Sequence, residues 1–219
     1  MWFGGGRELP GIHSICVDPR SSKTIRLGVS CGGVWQTDDG GLTWSCRADG
    51  MRAEFLPPEM ESEPWQQDPH LLVQSPFNPD RLWVQHHNGI FFSSDGSASW
   101  QELHAKPSSF GFAVAVHPSE PDTAWFVPGI KDELRIPVDG KLVVTRTRDG
   151  GKTWQSLTNG LPQTHAYDLA YRHALTIDKT GNRLAFGTTT GNVYVTEDQG
   201  NTWQTLSNSL PPVHAVRFI

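Results

Sequence analysis

One eight-residue element occurs four times in this chain, and the distance between copies constrains the fold more than any other feature. The copies run Thr37–Trp44, Ser93–Trp100, Thr147–Trp154 and Thr196–Trp203 and share the pattern S/T-x-D-x-G-x-T/S-W; only Ser97 departs from it, standing where the others have glycine. The aspartates at 39, 95, 149 and 198 recur at spacings of 56, 54 and 49 residues, the length of one small four-stranded sheet per repeat. Asp and Ser/Thr side chains accept from nearby backbone N–H groups and hold a tight turn, glycine permits a positive φ, and tryptophan supplies a large ring to bury. Thr37, Asp39, Gly41, Trp44, Ser93, Asp95, Trp100, Thr147, Asp149, Gly151, Trp154, Thr196, Asp198, Gly200 and Trp203 are therefore read as a folding device and not as catalytic groups.

Short β-branched and aromatic runs flank each copy and are separated by Gly and Pro, of which the chain has 22 and 16. No stretch carries a helical apolar period over a dozen residues, and none approaches the 18 or so apolar residues of a membrane span. The expected fold is all-β. It is a β-propeller of four-stranded antiparallel blades over about 11–50, 70–106, 112–158 and 170–208, after an irregular segment over 1–10. Residues 212–219 read as one extra inner strand belonging to a fifth blade, so the single propeller domain over 11–219 is expected to be incomplete, a C-terminal portion or one that closes by association.

The repeat resembles the Asp-box, or BNR repeat, of sialidases and related propellers. The whole length is similar to a bacterial family of propellers regarded as sialidase-like glycosyl hydrolases. The stretches that carry this are Val34-Trp35 with the first copy, Phe110–Pro118, Asp139–Trp154, and Gly160–Gln163 with Ala166-Tyr167. That resemblance implies a longer N-terminal region and leaves three functions open: a ligand-binding scaffold, a glycoside hydrolase of exo-sialidase or two-carboxylate type, and an inactive fragment.

Composition narrows the partners. Net charge is −5, with 18 basic residues scattered along the chain, so there is no basic stripe for nucleic acid. Cys16, Cys31 and Cys46 match no zinc spacing, and their odd number argues for reduced thiols over a disulfide framework. The first residues lack the charged and apolar regions of a secretion signal, which gives a cytoplasmic expectation for the chain as it stands. No cofactor is indicated, and no metal: His86 and His87, adjacent on a strand, point to opposite faces and cannot hold one ion together.

In a four-stranded blade the turn between strands two and three shares a rim with the link to the next blade, and the repeated turns lie on the other rim. The long irregular segments 51–70, 108–112, 130–141 and 161–172 all fall on the first rim, where a glycan or protein ligand is expected to bind. Glu54, Asp132 and Glu133 are the candidate glycosidase carboxyls there. Arg52, Trp65, Phe110, Arg135, Tyr167 and Arg172 are the candidate ligand contacts. Arg135-Ile136-Pro137 is similar to the Arg-Ile-Pro segment that delivers a substrate-binding arginine in sialidases, but it lies between the second and third copies, whereas in sialidases it precedes the first. No nucleophile, acid and anchor assemble from these residues, which favours binding over catalysis.

Overall fold

The computed structural model describes residues 10–219; of the expected N-terminal segment 1–10, all but Pro10 lies outside the described residues. The chain forms four antiparallel four-stranded sheets in sequence order. The first contains β1 (Ile12–Asp18), β2 (Ser21–Val29), β3 (Gly33–Thr37) and β4 (Ser45–Cys46). The second contains β5 (Pro69–Gln74), β6 (Leu82–His86), β7 (Ile90–Ser93) and β8 (Gln101–Leu103). The third is β9 (Gly111–Val116), β10 (Ala124–Pro128), β11 (Val144–Thr147) and β12 (Gln155–Leu157), and the fourth β13 (Leu175–Ile177), β14 (Leu184–Gly187), β15 (Val193–Thr196) and β16 (Gln204–Ser207). Among the described residues only three single-turn 3-10 segments interrupt them, and no helix is long and apolar enough to cross a membrane.

Each sheet is a meander, and β1 packs on β5, β5 on β9 and β9 on β13. These four first strands line a channel of about 390 Å³, so they are the inner strands of radially arranged blades. Three apolar cores fill the wedges between sheets. Met51, Leu72, Phe91 and Trp100 lie between the first and second, Trp83, Phe92, Val114 and Phe126 between the second and third, and Trp125, Leu142, Phe186 and Trp203 between the third and fourth.

The repeated element sits between the third and fourth strands of every sheet and builds the same turn each time. In the first copy Asp39 Oδ1 accepts from Thr37 Oγ1 at 2.7 Å and from the Leu42 and Thr43 amides at 2.9 Å, Asp39 Oδ2 accepts from Thr43 Oγ1 at 2.6 Å, and the Gly41 amide donates to Thr37 Oγ1 at 2.9 Å. Asp149 repeats this with Thr147 and Thr153, Asp95 with Ser93 and Ser99, and Asp198 with Thr196 and Thr202. The pattern glycines need their freedom, with φ of 98° at Gly41 and 88° at Gly151, and Ser97 takes the same region at 72°. Ser97 holds that conformation with a hydroxyl bonded across the wedge to Gln36 Oε1 at 3.0 Å, on the preceding blade.

The tryptophan that ends the second, third and fourth copies packs on the preceding sheet. Trp100 and Trp203 are buried in the first and third wedges and Trp154 lies against the second, while Trp44, with no described sheet before it, is 38% exposed. The face of the first sheet around it is also open: Ile15 is 68% and Val17 52% exposed, and at the other end of the series Leu206 is 69% exposed. Among the described residues the ring is thus open between the first and fourth blades.

Residues 212–219, expected as an inner strand, belong to no sheet. They run beside the fourth blade, where the Val213 amide donates to Thr188 O and the Val216 amide to His173 O, both at 3.0 Å. Gly187 makes room for Val213, whose Cγ1 would lie 2.2 Å from any Cβ placed there. Without strands of a further sheet beside it, the segment has no ladder to join.

Candidate functional site

The two rims of the ring are chemically different. On one, the repeated turns bond to the ends of the hairpins made by first and second strands: Gly40 N to Lys23 O, Gly96 N to Asp80 O and Gly150 N to Asp122 O, each at 3.0 Å. Their polar groups are consumed in the fold. On the other rim a cavity of about 760 Å³ opens between the links, lined by His13, Asp68, His70, His87, Phe112, Asp132, Arg135, Tyr171, Arg172 and His173 among others. The starts of the inner strands supply His13, His70 and Phe112, and the links that enter or leave the strands supply the others.

Phe112, on β9, is the platform of this cavity. Its ring stacks on His70 with centroids 4.3 Å apart, and two guanidinium groups from separate links lie over it, Arg135 at 5.1 Å and Arg172 at 5.4 Å. Arg135 comes from the 129–143 link, which folds back through a Lys131–Leu134 bridge; it pairs with Asp132 at 2.6 Å and donates to Tyr171 Oη at 3.3 Å. Arg172 donates from Nε to His70 O at 2.9 Å, across 102 residues of sequence.

The field near Arg172 is positive. His13 is lowered to about 4, by burial first and then by Arg172, and His173 is lowered by burial together with Arg217 and Arg172. In the same cavity Asp68 is ionised: burial works against its charge, but hydrogen bonds and charge from His70 and His87, with Ser30, hold its carboxyl well below the usual range. Burial pushes the Cys31 thiol up to about 12, Asp68 adding to the effect, so it is a neutral wall of the cavity; the three cysteines are all free.

Of the residues singled out from sequence, Asp132, Arg135 and Arg172 line this cavity. Phe110 is buried beside Phe112 beneath it. Arg52 lies at the second blade, chelating Glu102 at 2.6 and 3.1 Å and pairing with Glu54 at 2.5 Å. Trp65 and Tyr167 are exposed and outside the lining. Each candidate carboxyl is held by a cation of its own link: Glu54 by Arg52, Asp132 by Arg135, and the exposed Glu133 by Lys131 at 3.5 Å. Glu133 is lowered, chiefly by a backbone hydrogen bond and by Lys131, whereas a general acid needs a raised pKa.

Sequence reasoning missed the wall formed by Asp68, His70 and His87. A signal existed: Asp68 and His70 are two residues apart where β5 begins, a spacing that puts both on one face of a strand. Their meeting with His87, from the link after β6, is a tertiary fact.

No protein-family model matches the sequence, and no curated protein matches it. Solved structures are similar in fold. An ancestral GH74 enzyme superposes with a TM-score of 0.67 at 16% identity over 90% of this chain and 24% of its own. The GH74 xyloglucanase from Xanthomonas campestris gives 0.62 at 16% identity over 90% of this chain and 30% of its own, and YCF48 from Cyanidioschyzon merolae 0.59 at 18% over 96% and 60%. The chain therefore spans between about a quarter and three fifths of the length of these propellers. At such identities the likeness establishes the architecture, and the architecture is that of a β-propeller.

Proposed function

We propose that this chain is an Asp-box propeller module, of the sialidase-like kind, that binds a carboxylate-bearing ligand in the cavity on its long-link rim without turning it over. The observation that carries the reading is the pair Arg135 and Arg172, brought from separate links onto one aromatic platform inside a cavity where His13 and His173 are lowered first by burial and then by positive charge. Guanidinium forks suit a carboxylate, whether at a peptide C terminus or on an acidic sugar, and the exposed Phe55 with the partly buried Tyr171 offers the apolar surface that either would cover. The GH74 neighbours are by name glycosidases and YCF48 is not, so the shared fold leaves ligand class open and the cavity chemistry has to choose.

The test is calorimetric titration of short peptides with free and amidated C termini, and of sugars with and without a carboxylate. The free carboxylate should bind at least roughly tenfold tighter than its amide, and Arg135→Gln should erase that preference, one charge-assisted hydrogen bond lost being about 1.5–3 kcal/mol. An anion beside His13 and His173 raises their pKa, so binding should take up protons and tighten as pH falls from 7 toward 5. Equal binding of acid and amide, or turnover of an aryl glycoside abolished by Asp132→Asn, would overturn the reading.

A further inference from the structure

The cavity wall holds a second constellation that anion binding does not use. Asp68 Oδ2 lies 3.3 Å from His87 Nδ1 and 3.6 Å from His70 Nε2, and the three ligand atoms all lie within 4.8 Å of one another. Each group is aimed. Asp68 Oδ1 is occupied, accepting from Ser30 Oγ at 2.7 Å and the Cys31 amide at 3.0 Å, which turns Oδ2 toward the imidazoles. His70 Nδ1 sits 2.7 Å from Gly111 O, which can only accept, so Nδ1 carries a proton and Nε2 faces the carboxylate. The His70 ring cannot swing away, because it is stacked on Phe112 and buried. His87 is the least buried member, 26% exposed at its side chain and edge-on to Phe55.

From this juxtaposition we propose that Asp68, His70 and His87 bind a divalent transition metal, with zinc as the best fit, leaving its remaining coordination positions open to the cavity. Two imidazoles and a carboxylate are a ligand set that zinc accepts, and a histidine whose far nitrogen donates to a backbone carbonyl is the usual second support of such a site. In a tetrahedron with zinc bonds of about 2.0–2.1 Å, neighbouring ligand atoms are about 3.3 Å apart. The Asp68–His87 edge has that length and the Asp68–His70 edge is close to it. A small swing of His87 closes the third. His86, next along the chain, is not a ligand: it is fully buried and accepts the Asp68 amide at 2.9 Å, which keeps the two adjacent histidines on separate duties.

The experiment uses the whole chain stripped of metal with a chelator and dialysed. Zinc alone is titrated calorimetrically at pH 7.5, and cobalt is added in parallel to read visible absorption. One equivalent should bind, cobalt should give the intense visible bands of a low-coordinate site, and His87→Ala should weaken zinc binding by roughly ten- to a hundredfold. Because Asp68→Asn disturbs a buried group and need not fold, the partly exposed His87 is the deciding position, with His173→Ala, in the same cavity but outside the triad, as control. The proposal is overturned if zinc does not bind, if His87→Ala binds it as well as the parent, or if His173→Ala loses as much. Neither peptide nor sugar enters the assay, so its failure leaves the anion-binding reading standing.

Discussion

Replacing Gly160 by alanine isolates what couples one blade to the next. Gly160 has φ of +84°, and a Cβ on it would lie 1.9 Å from the carbonyl oxygen of Trp203, 2.8 Å from its carbonyl carbon and 3.2 Å from its nitrogen. All three are backbone atoms, so no flexible side chain can yield. The Trp203 amide is bonded to Asn159 O at 2.9 Å, and its ring fills the wedge with Trp125 and Phe186. Left-handed strain contributes about 1–2 kcal/mol. Overpacking against rigid backbone adds about 1–3 and the strained hydrogen bond about 1, for a total of roughly 3–6 kcal/mol. At about 2–4 °C per kcal/mol for a chain of this size, the melting temperature should fall by roughly 6–24 °C. Gly40→Ala is the matched control, with φ of +79° and nothing within 4 Å of its Cβ, so it should lose only the strain, roughly 1–2 kcal/mol. Calorimetric melts of the two variants decide the matter. If Gly160→Ala costs no more than Gly40→Ala, the blades are not latched through the backbone of the repeated turn.

The two end tryptophans of the repeat should differ for the same reason: Trp203→Ala, buried, should cost about 3–5 kcal/mol in denaturant melts, and Trp44→Ala, on the open face, about 1 or less. Asp95, Asp149 and Asp198 all have folded-state pKa values below the ordinary aspartate value, and Asp68 lies well below it. Their contribution is therefore complete above about pH 4 and is lost as pH falls through the folded values; melting temperature should be nearly level from pH 7 to 5 and drop steeply below 4, and a level profile down to pH 2 would contradict the turn chemistry. The open first sheet predicts concentration-dependent association through Ile15 and Val17, which light scattering should detect and Ile15→Lys should reduce; an unchanged monomer at high concentration would refute it.

How much of this was legible in the sequence follows from how local each interaction is. The turn of Asp39 is closed by residues two to four positions away, so its residue types announce both the turn and its place between third and fourth strands. Once the strands are ordered, the rim bearing the links 51–70 and 130–141 follows from blade connectivity, and that rim holds the cavity. What the repeat cannot reveal is its environment. Trp44 and Trp203 end identical motifs, yet one is half-open because burial depends on a neighbouring sheet. Arg172 and His70 meet across 102 residues, and Asp68 and His87 come from either side of β5 and β6, so neither pairing leaves a periodic trace. Residues 212–219 carry apolar residues suited to a strand but have no partner strands, and pairing, not propensity, makes a strand.

The central claim is that the long-link rim is the binding surface and the rim of repeated turns is only scaffold. Backbone-amide chemical-shift mapping with a short peptide bearing a free C-terminal carboxylate tests it most directly. Shifts concentrated at His13, His70, Phe112, Arg135 and Arg172, and absent with the amidated peptide, are the predicted result. Shifts centred on Asp39–Thr43, Asp95–Ser99 or Asp149–Thr153 would place the ligand on the opposite rim and contradict the account.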